Sequence, residues 1–122
     1  MPSRVRVEDL IARVQRGAIL DALRDFYADE VVMQDNANPP TVGLAANLER
    51  ERAFGATIAQ VHECRAPSVV IEGDHVVIHW IFEYTGTDGA RYRFDQLAHQ
   101  TWRGDRIVAE RFFYDAAALK AA

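Results

Sequence analysis

Apolar positions along this chain change period near its middle. In the first half, Val7, Leu10, Ile11 and Val14 recur every three to four residues, which predicts a helix with Glu8 and Asp9 near its favourable N-terminal end. Gly17 interrupts it. Ile19, Leu20, Leu23, Phe26 and Tyr27 then form a second helical stripe. The segment Asp25 to Pro40 ends that helix on Phe26-Tyr27 and turns an acidic corner at Ala28-Asp29-Glu30. It then enters a strand, Val31 to Asn36. Pro39-Pro40 stops regular pairing, since proline has no amide donor for a ladder. Leu44 to Ile58 reads as a third helix, with Glu49-Arg50-Glu51-Arg52 as its wet face.

In the second half the period becomes two. Val61 to Glu72, His75 to Tyr84, Tyr92 to Arg103 and Arg106 to Asp115 read as strands. Gly73-Asp74, Gly86-Thr87-Asp88-Gly89 and Gly104-Asp105 mark the hairpin turns between them. Strands this long must twist and curl. The order ααβαββββ predicts an α+β domain spanning residues 1–122: a cone-shaped, curved mixed sheet with three helices on its concave face.

The alternation assigns faces. Val76, Ile78, Trp80, Phe82 and Tyr84 face inward; His75, Val77, His79, Ile81 and Glu83 face outward. On the next strand Phe94, Gln96, Ala98, Gln100 and Trp102 are the inner set, with an exchange of Asp95 for Gln96 as the alternative register. On the last strand Val108, Glu110, Phe112 and Tyr114 join them. The inner face thus mixes large aromatics with a few polar groups, as a small-molecule cavity requires. Its expected lining is Tyr27, Met33, Phe54, Trp80, Phe82, Gln96, Ala98, Gln100, Phe112 and Tyr114. The outer face carries Ile81, Leu97 and Phe113 among His79, His99 and Arg111, which suits a homodimer formed through the sheet.

Composition narrows the classes. The 122 residues carry 49% hydrophobic and 26% charged side chains and a formal net charge of -4, which argues against nucleic-acid binding. Arg91, Arg93, Arg103 and Arg106 fall near turns, as a solvated rim would. Cys64 is the one cysteine, no apolar run approaches membrane length, and a reducing cytoplasm is the default compartment.

The candidate chemistry centres on Asp35, which shares a strand face with Val31 and Met33. A carboxylate there is costly unless it has a use or a partner. In an apolar pocket, desolvation would raise its pKa and make it a general base; Asp35→Asn would then lose activity and gain stability at pH 8. Glu110 is either its partner acid in the cavity or one half of a salt bridge to a neighbouring arginine. Gln96, Gln100 and the Trp80 indole are candidate donors to a developing enolate oxygen, and Tyr27 and Tyr114 could serve likewise. His62-x-Cys64 and the pair His75 and His79 form no complete metal-ligand set, so no metal and no cofactor is expected.

Phe26-Tyr27-Ala28-Asp29-Glu30-Val31, Trp80-Ile81-Phe82-Glu83-Tyr84, Gly104-Asp105-Arg106-Ile107-Val108 and Phe113-Tyr114-Asp115 resemble the nuclear-transport-factor-two-like, ketosteroid-isomerase-like superfamily. Within it they are most similar to SnoaL-like proteins, the polyketide-cyclase relatives. The resemblance places Asp35 where ketosteroid isomerases hold their base. The two oxyanion donors of those enzymes fall near Leu10 or Ile11 and near Ala98. The Asp-Arg-Asp, tyrosine and asparagine set of limonene-type epoxide hydrolases falls on Phe82, Trp80, Phe112, Met33 and Asp35, although Gln34 and Pro39-Pro40 match. Neither site is carried over whole. The resemblance implies acid–base isomerisation, cyclisation or dehydration of a small hydrophobic carbonyl compound. The alternative is a non-catalytic ligand-binding or association module.

Overall fold

The computed structural model describes residues 1–120. Three helices, α1 (Arg4–Gln15), α2 (Ile19–Phe26) and α3 (Leu44–Gly55), cover one face of a curved, unclosed sheet. Its strands are β1 (Tyr27–Asp35), β2 (Thr41–Val42), β3 (Ile58–Glu72), β4 (His75–Gly86), β5 (Arg91–Arg103) and β6 (Arg106–Phe113), in the order β2-β1-β6-β5-β4-β3. β1 and β6 run parallel and every other pair antiparallel, so the sheet is mixed.

α1 begins earlier than its apolar stripe suggests, because the Ser3 hydroxyl caps it by accepting the Arg6 amide at 3.1 Å. Glu8 and Asp9 therefore sit beyond the first turn. Arg6 then ties three elements together. Its guanidinium donates to the Asp25 carbonyl at 2.6 Å and to the Asp105 carbonyl, and lies 3.9 Å from the Phe26 ring centre. α2 ends at Phe26, and the backbone passes straight into β1 at Tyr27, so the acidic corner is part of the strand. A register shift between Tyr27 and Val32 absorbs it. Beyond Pro39-Pro40 the chain still manages the two-residue edge strand β2. α3 stops at Gly55, and β3 starts at Ile58 rather than Val61.

The core lies between helices and sheet: Val7, Leu10, Leu23 and Phe26 pack over Val31, Met33, Val76, Ile78, Trp80, Ala98, Trp102 and Ile107. One inner position differs from the alternation. Thr101 pairs with Ala109 but Trp102 with Ile107, so Val108 is bulged and Ile107, fully buried, faces inward in its place. Downstream of the bulge the phase is restored, and Glu110 and Phe112 point inward. Asp95 and Gln96 keep the faces first assigned: Asp95 lies outside, bonded to His79 at 2.6 Å, and Gln96 faces the helices. Ile81 faces outward yet is only 3% exposed.

Candidate functional site

The helices do not fill the sheet's hollow. A cavity of about 770 Å³ remains, within the range of small-ligand sites. Its walls are largely apolar and aromatic: Leu10, Leu20, Phe54, Trp80, Phe82, Phe94 and Phe112 contribute. Phe54 on α3 meets Phe94 edge-to-face at 6.1 Å and Tyr84 at 5.7 Å, which holds the helix over that end of the hollow.

Of the residues expected to line it, Tyr27, Met33, Asp35, Phe54, Trp80, Phe82, Gln96, Gln100, Glu110 and Phe112 do. Ala98 does not. It lies opposite Ile78 and Phe112 and is fully buried in the core, where its small side chain is packed over. Tyr114 is also outside the main cavity. It follows the end of β6, borders a second hollow of about 210 Å³ with Arg93, Asp95 and Leu119, and is linked to the main cavity through the bond from its hydroxyl to Asp35.

The structure gives the two candidate carboxylates different settings. Asp35 is not alone in an apolar setting. Arg50 of α3 approaches one oxygen at 2.7 Å, and the Tyr114 hydroxyl donates to the other at 2.7 Å. That hydroxyl is pushed up to about 12 by its own desolvation and by the Asp35 charge. Arg50 and Glu51 therefore do not belong to the wet face of α3; both line the cavity, and only Glu49 and Arg52 form the exposed pair. A helical signal for this existed. Leu44, Asn47, Leu48, Glu51 and Phe54 follow the three-to-four spacing of one stripe.

The isolated carboxylate is Glu110. It is 3% exposed, and no cation pairs with it among the described residues. The Tyr27 hydroxyl donates to Oε1, and the Gln100 amide donates to Oε2 at 2.7 Å. The Gln100 carbonyl in turn accepts the Trp102 indole N–H at 3.0 Å. β6 supplies Glu110 between Met33 of β1 and Gln100 of β5, so three strands fix its position. Burial raises the Glu110 pKa to about 7; the bonds from Tyr27 and Gln100 pull it down, and the Glu51 and Asp35 charges push it up. Tyr27, buried beside it, is held well above the ordinary phenol range by desolvation and by the Glu110 charge. Glu51 is raised as well, chiefly by desolvation, against the pull of Arg50. Burial also pushes the Cys64 thiol on the cavity wall upward.

The histidines lie elsewhere. His75 Nδ1 and His99 Nε2 are 3.1 Å apart, His62 meets Thr85 at 2.7 Å, and no group of three metal-ligating side chains converges among the described residues. No helix among them is long and apolar enough to cross a membrane.

This combination of helices, curved mixed sheet and internal cavity defines the chain's class. It belongs to the SnoaL-like domain family, whose model matches residues 7–110. Its fold is shared by a provisionally assigned SnoaL-like polyketide cyclase from Mesorhizobium loti (TM-score 0.79, 20% identity, 93% of this chain and 100% of that one). A ketosteroid-isomerase-like protein from Catenulispora acidiphila, solved with trimethylamine, matches comparably (TM-score 0.79, 20% identity, 98% and 91%). So does an LEH-like epoxide hydrolase from Mycobacterium tuberculosis (TM-score 0.74, 16% identity, 93% and 83%). At these identities the similarity is one of fold. No curated protein matches the chain.

Proposed function

We propose that the cavity is the active site of an acid–base enzyme that acts on a small hydrophobic carbonyl compound, and that Glu110 moves the proton. The observation that carries this reading is a buried carboxylate on the wall of an open, aromatic cavity, held by two neutral donors and no cation. An ion-paired carboxylate is a poor base. One with a pKa of about 7 is roughly half ionised at neutral pH, so it can both take and return a proton. Glu110 removes a proton acidified by the substrate carbonyl and redelivers it in an isomerisation, or transfers it onward in a cyclisation or dehydration. Tyr27 stays protonated throughout and keeps the carboxylate oriented. Asp35, committed to Arg50 and Tyr114, sets the charge at the other end of the cavity instead of acting as the base.

The test is carbonyl-directed proton exchange in D2O, followed by NMR over a panel of cyclic ketones. The protein accelerates exchange, the rate rises through a midpoint near pH 7, and Glu110→Gln lowers it by about 10²–10⁴-fold. Binding without exchange across the panel would move the protein to the non-catalytic, ligand-binding reading.

We also propose that two copies associate through the outer sheet face. Leu97 and Phe113 are directly opposed across β5 and β6 and remain 47% and 42% exposed, beside the half-buried His79 and the exposed His99 and Arg111.

A further inference from the structure

The cavity's polar groups divide into those that answer one another and those that answer nothing in the chain. Asp35 has Arg50 and Tyr114; Glu110 has Tyr27 and Gln100; the Gln100 carbonyl has Trp102. Gln100, although it faces inward, therefore already uses its carbonyl oxygen on Trp102 and one of its amide hydrogens on Glu110. The Trp80 indole N–H and the Gln96 side-chain amide are different. Both residues line the cavity, and neither makes a side-chain hydrogen bond among the described residues. Nor are these groups sealed off. The only polar side-chain atom closed to solvent without a partner, among the described residues, is Asn47 Oδ1. The free donors of Trp80 and Gln96 thus open onto the cavity.

They are also side by side. Trp80 on β4 and Gln96 on β5 are direct cross-strand partners on the inner face, which brings their Cβ atoms within roughly 5 Å. An indole N–H can only donate, and a glutamine amide supplies two donor hydrogens. Phe82 and Phe94, the next inward pair along the same strands, close one side with apolar rings. Two unanswered donors against an apolar wall gain most from a single oxygen acceptor brought by the ligand.

We propose that Trp80 and Gln96 form a two-donor clamp for one oxygen of the ligand: a carbonyl oxygen that becomes an enolate oxygen as the proton leaves. This rests on the reading of the cavity as a proton-transfer site, and it adds the substrate's orientation. Gln96 is four residues along β5 from Gln100, the partner of Glu110, which is about 13 Å of strand at the level of the backbone. The side chains of clamp and base project from these positions into the same aromatic-walled cavity. The substrate is accordingly a cyclic or aryl ketone or enone, with its oxygen at Trp80 and Gln96 and the acidic carbon beside its carbonyl turned toward Glu110.

The experiment compares two probes of equal shape, 2-acetylnaphthalene and 2-isopropenylnaphthalene, which differ in C=O against C=CH2. Isothermal titration gives their affinities; infrared spectroscopy follows the stretch of a 13C-labelled carbonyl. The ketone binds about tenfold tighter than the alkene, and its stretch moves to lower wavenumber on binding. Trp80→Phe and Gln96→Leu each remove several-fold of that preference and part of the shift, and leave the alkene's affinity within about twofold. Glu110→Gln retains both. If one variant fails to fold, the other carries the test alone. Equal affinities of ketone and alkene for the native protein, or a preference and stretch unchanged in both variants, would overturn the clamp. Proton exchange without oxygen preference removes the clamp and leaves Glu110 in place; oxygen preference without exchange does the reverse.

Discussion

Replacing Glu110 by glutamine should make the protein more stable at neutral pH while leaving it nearly unchanged in mild acid. In the unfolded chain a glutamate titrates at about 4.5; in the fold Glu110 titrates at about 7. The native state therefore holds a proton that the unfolded state has lost throughout the window between those values. Stability consequently falls as pH rises from about 4.5 to about 7, and levels off above it. A displacement of roughly 2.5 pH units corresponds to about 3 kcal/mol, an order-of-magnitude figure for so buried a group. Glutamine carries no charge to desolvate. Its carbonyl can still accept from Gln100, but its NH2 group faces the Tyr27 hydroxyl, which must turn to accept, at a cost of about 1 kcal/mol. The variant should match or fall slightly below the native protein at pH 5 and exceed it by about 2 kcal/mol at pH 8. Urea unfolding followed by tryptophan fluorescence at pH 5, 6, 7 and 8 measures this. Glu51 also titrates upward from its ordinary value, but it is present in both proteins, so most of its contribution drops out of the difference. Two parallel stability–pH curves would refute the reasoning, since they would mean that Glu110 is ionised in the fold at no cost.

Three further outcomes follow from the same geometry. Asp35→Asn, which an unpartnered carboxylate would make stabilising at pH 8, should instead destabilise by about 1 kcal/mol there, because it strips the half-buried Arg50 of its counter-ion; chemical denaturation at pH 8 decides the sign. Tyr27→Phe removes a hydrogen bond that lowers the Glu110 pKa, so the midpoint of the exchange-rate profile should move to higher pH, and a midpoint that stays put or falls would count against the pairing. Leu97→Glu sets a charge opposite Phe113 on the outer face and should convert a dimer to a monomer in sedimentation at fixed concentration; a native protein that already sediments as a monomer contradicts the proposed association.

What could be read before folding, and what could not, divides along physical lines. The β4 alternation from Val76 to Tyr84 survives intact because a long strand with one buried face has a single acceptable phase. The inward placement of Glu110 and Gln100 was legible for the same reason. The Val108 bulge was not, since an extra residue leaves no mark on composition and only the pairing of Trp102 with Ile107 reveals it. Ala98 faces the correct side but ends in the core, because alternation gives direction and not depth. The partner of Asp35 was hidden behind a run of four charges. Read as a block, Glu49-Arg50-Glu51-Arg52 is a solvated face; read at helical pitch, it turns Arg50 and Glu51 toward the sheet and leaves Glu49 and Arg52 as an exposed ion pair at the rim. That one misassignment hid how differently the two acids are set: Asp35 is ion-paired to Arg50, and Glu110 has no cation beside it among the described residues.

The account turns on the ionisation of a single buried side chain, and 13C NMR of protein labelled at glutamate side-chain carboxyls reads it directly. The Glu110 resonance, identified by its absence in Glu110→Gln, should titrate with a midpoint near 7. A midpoint close to the ordinary 4.5 would show a carboxylate already ionised at every physiological pH and would contradict the proposed proton carrier.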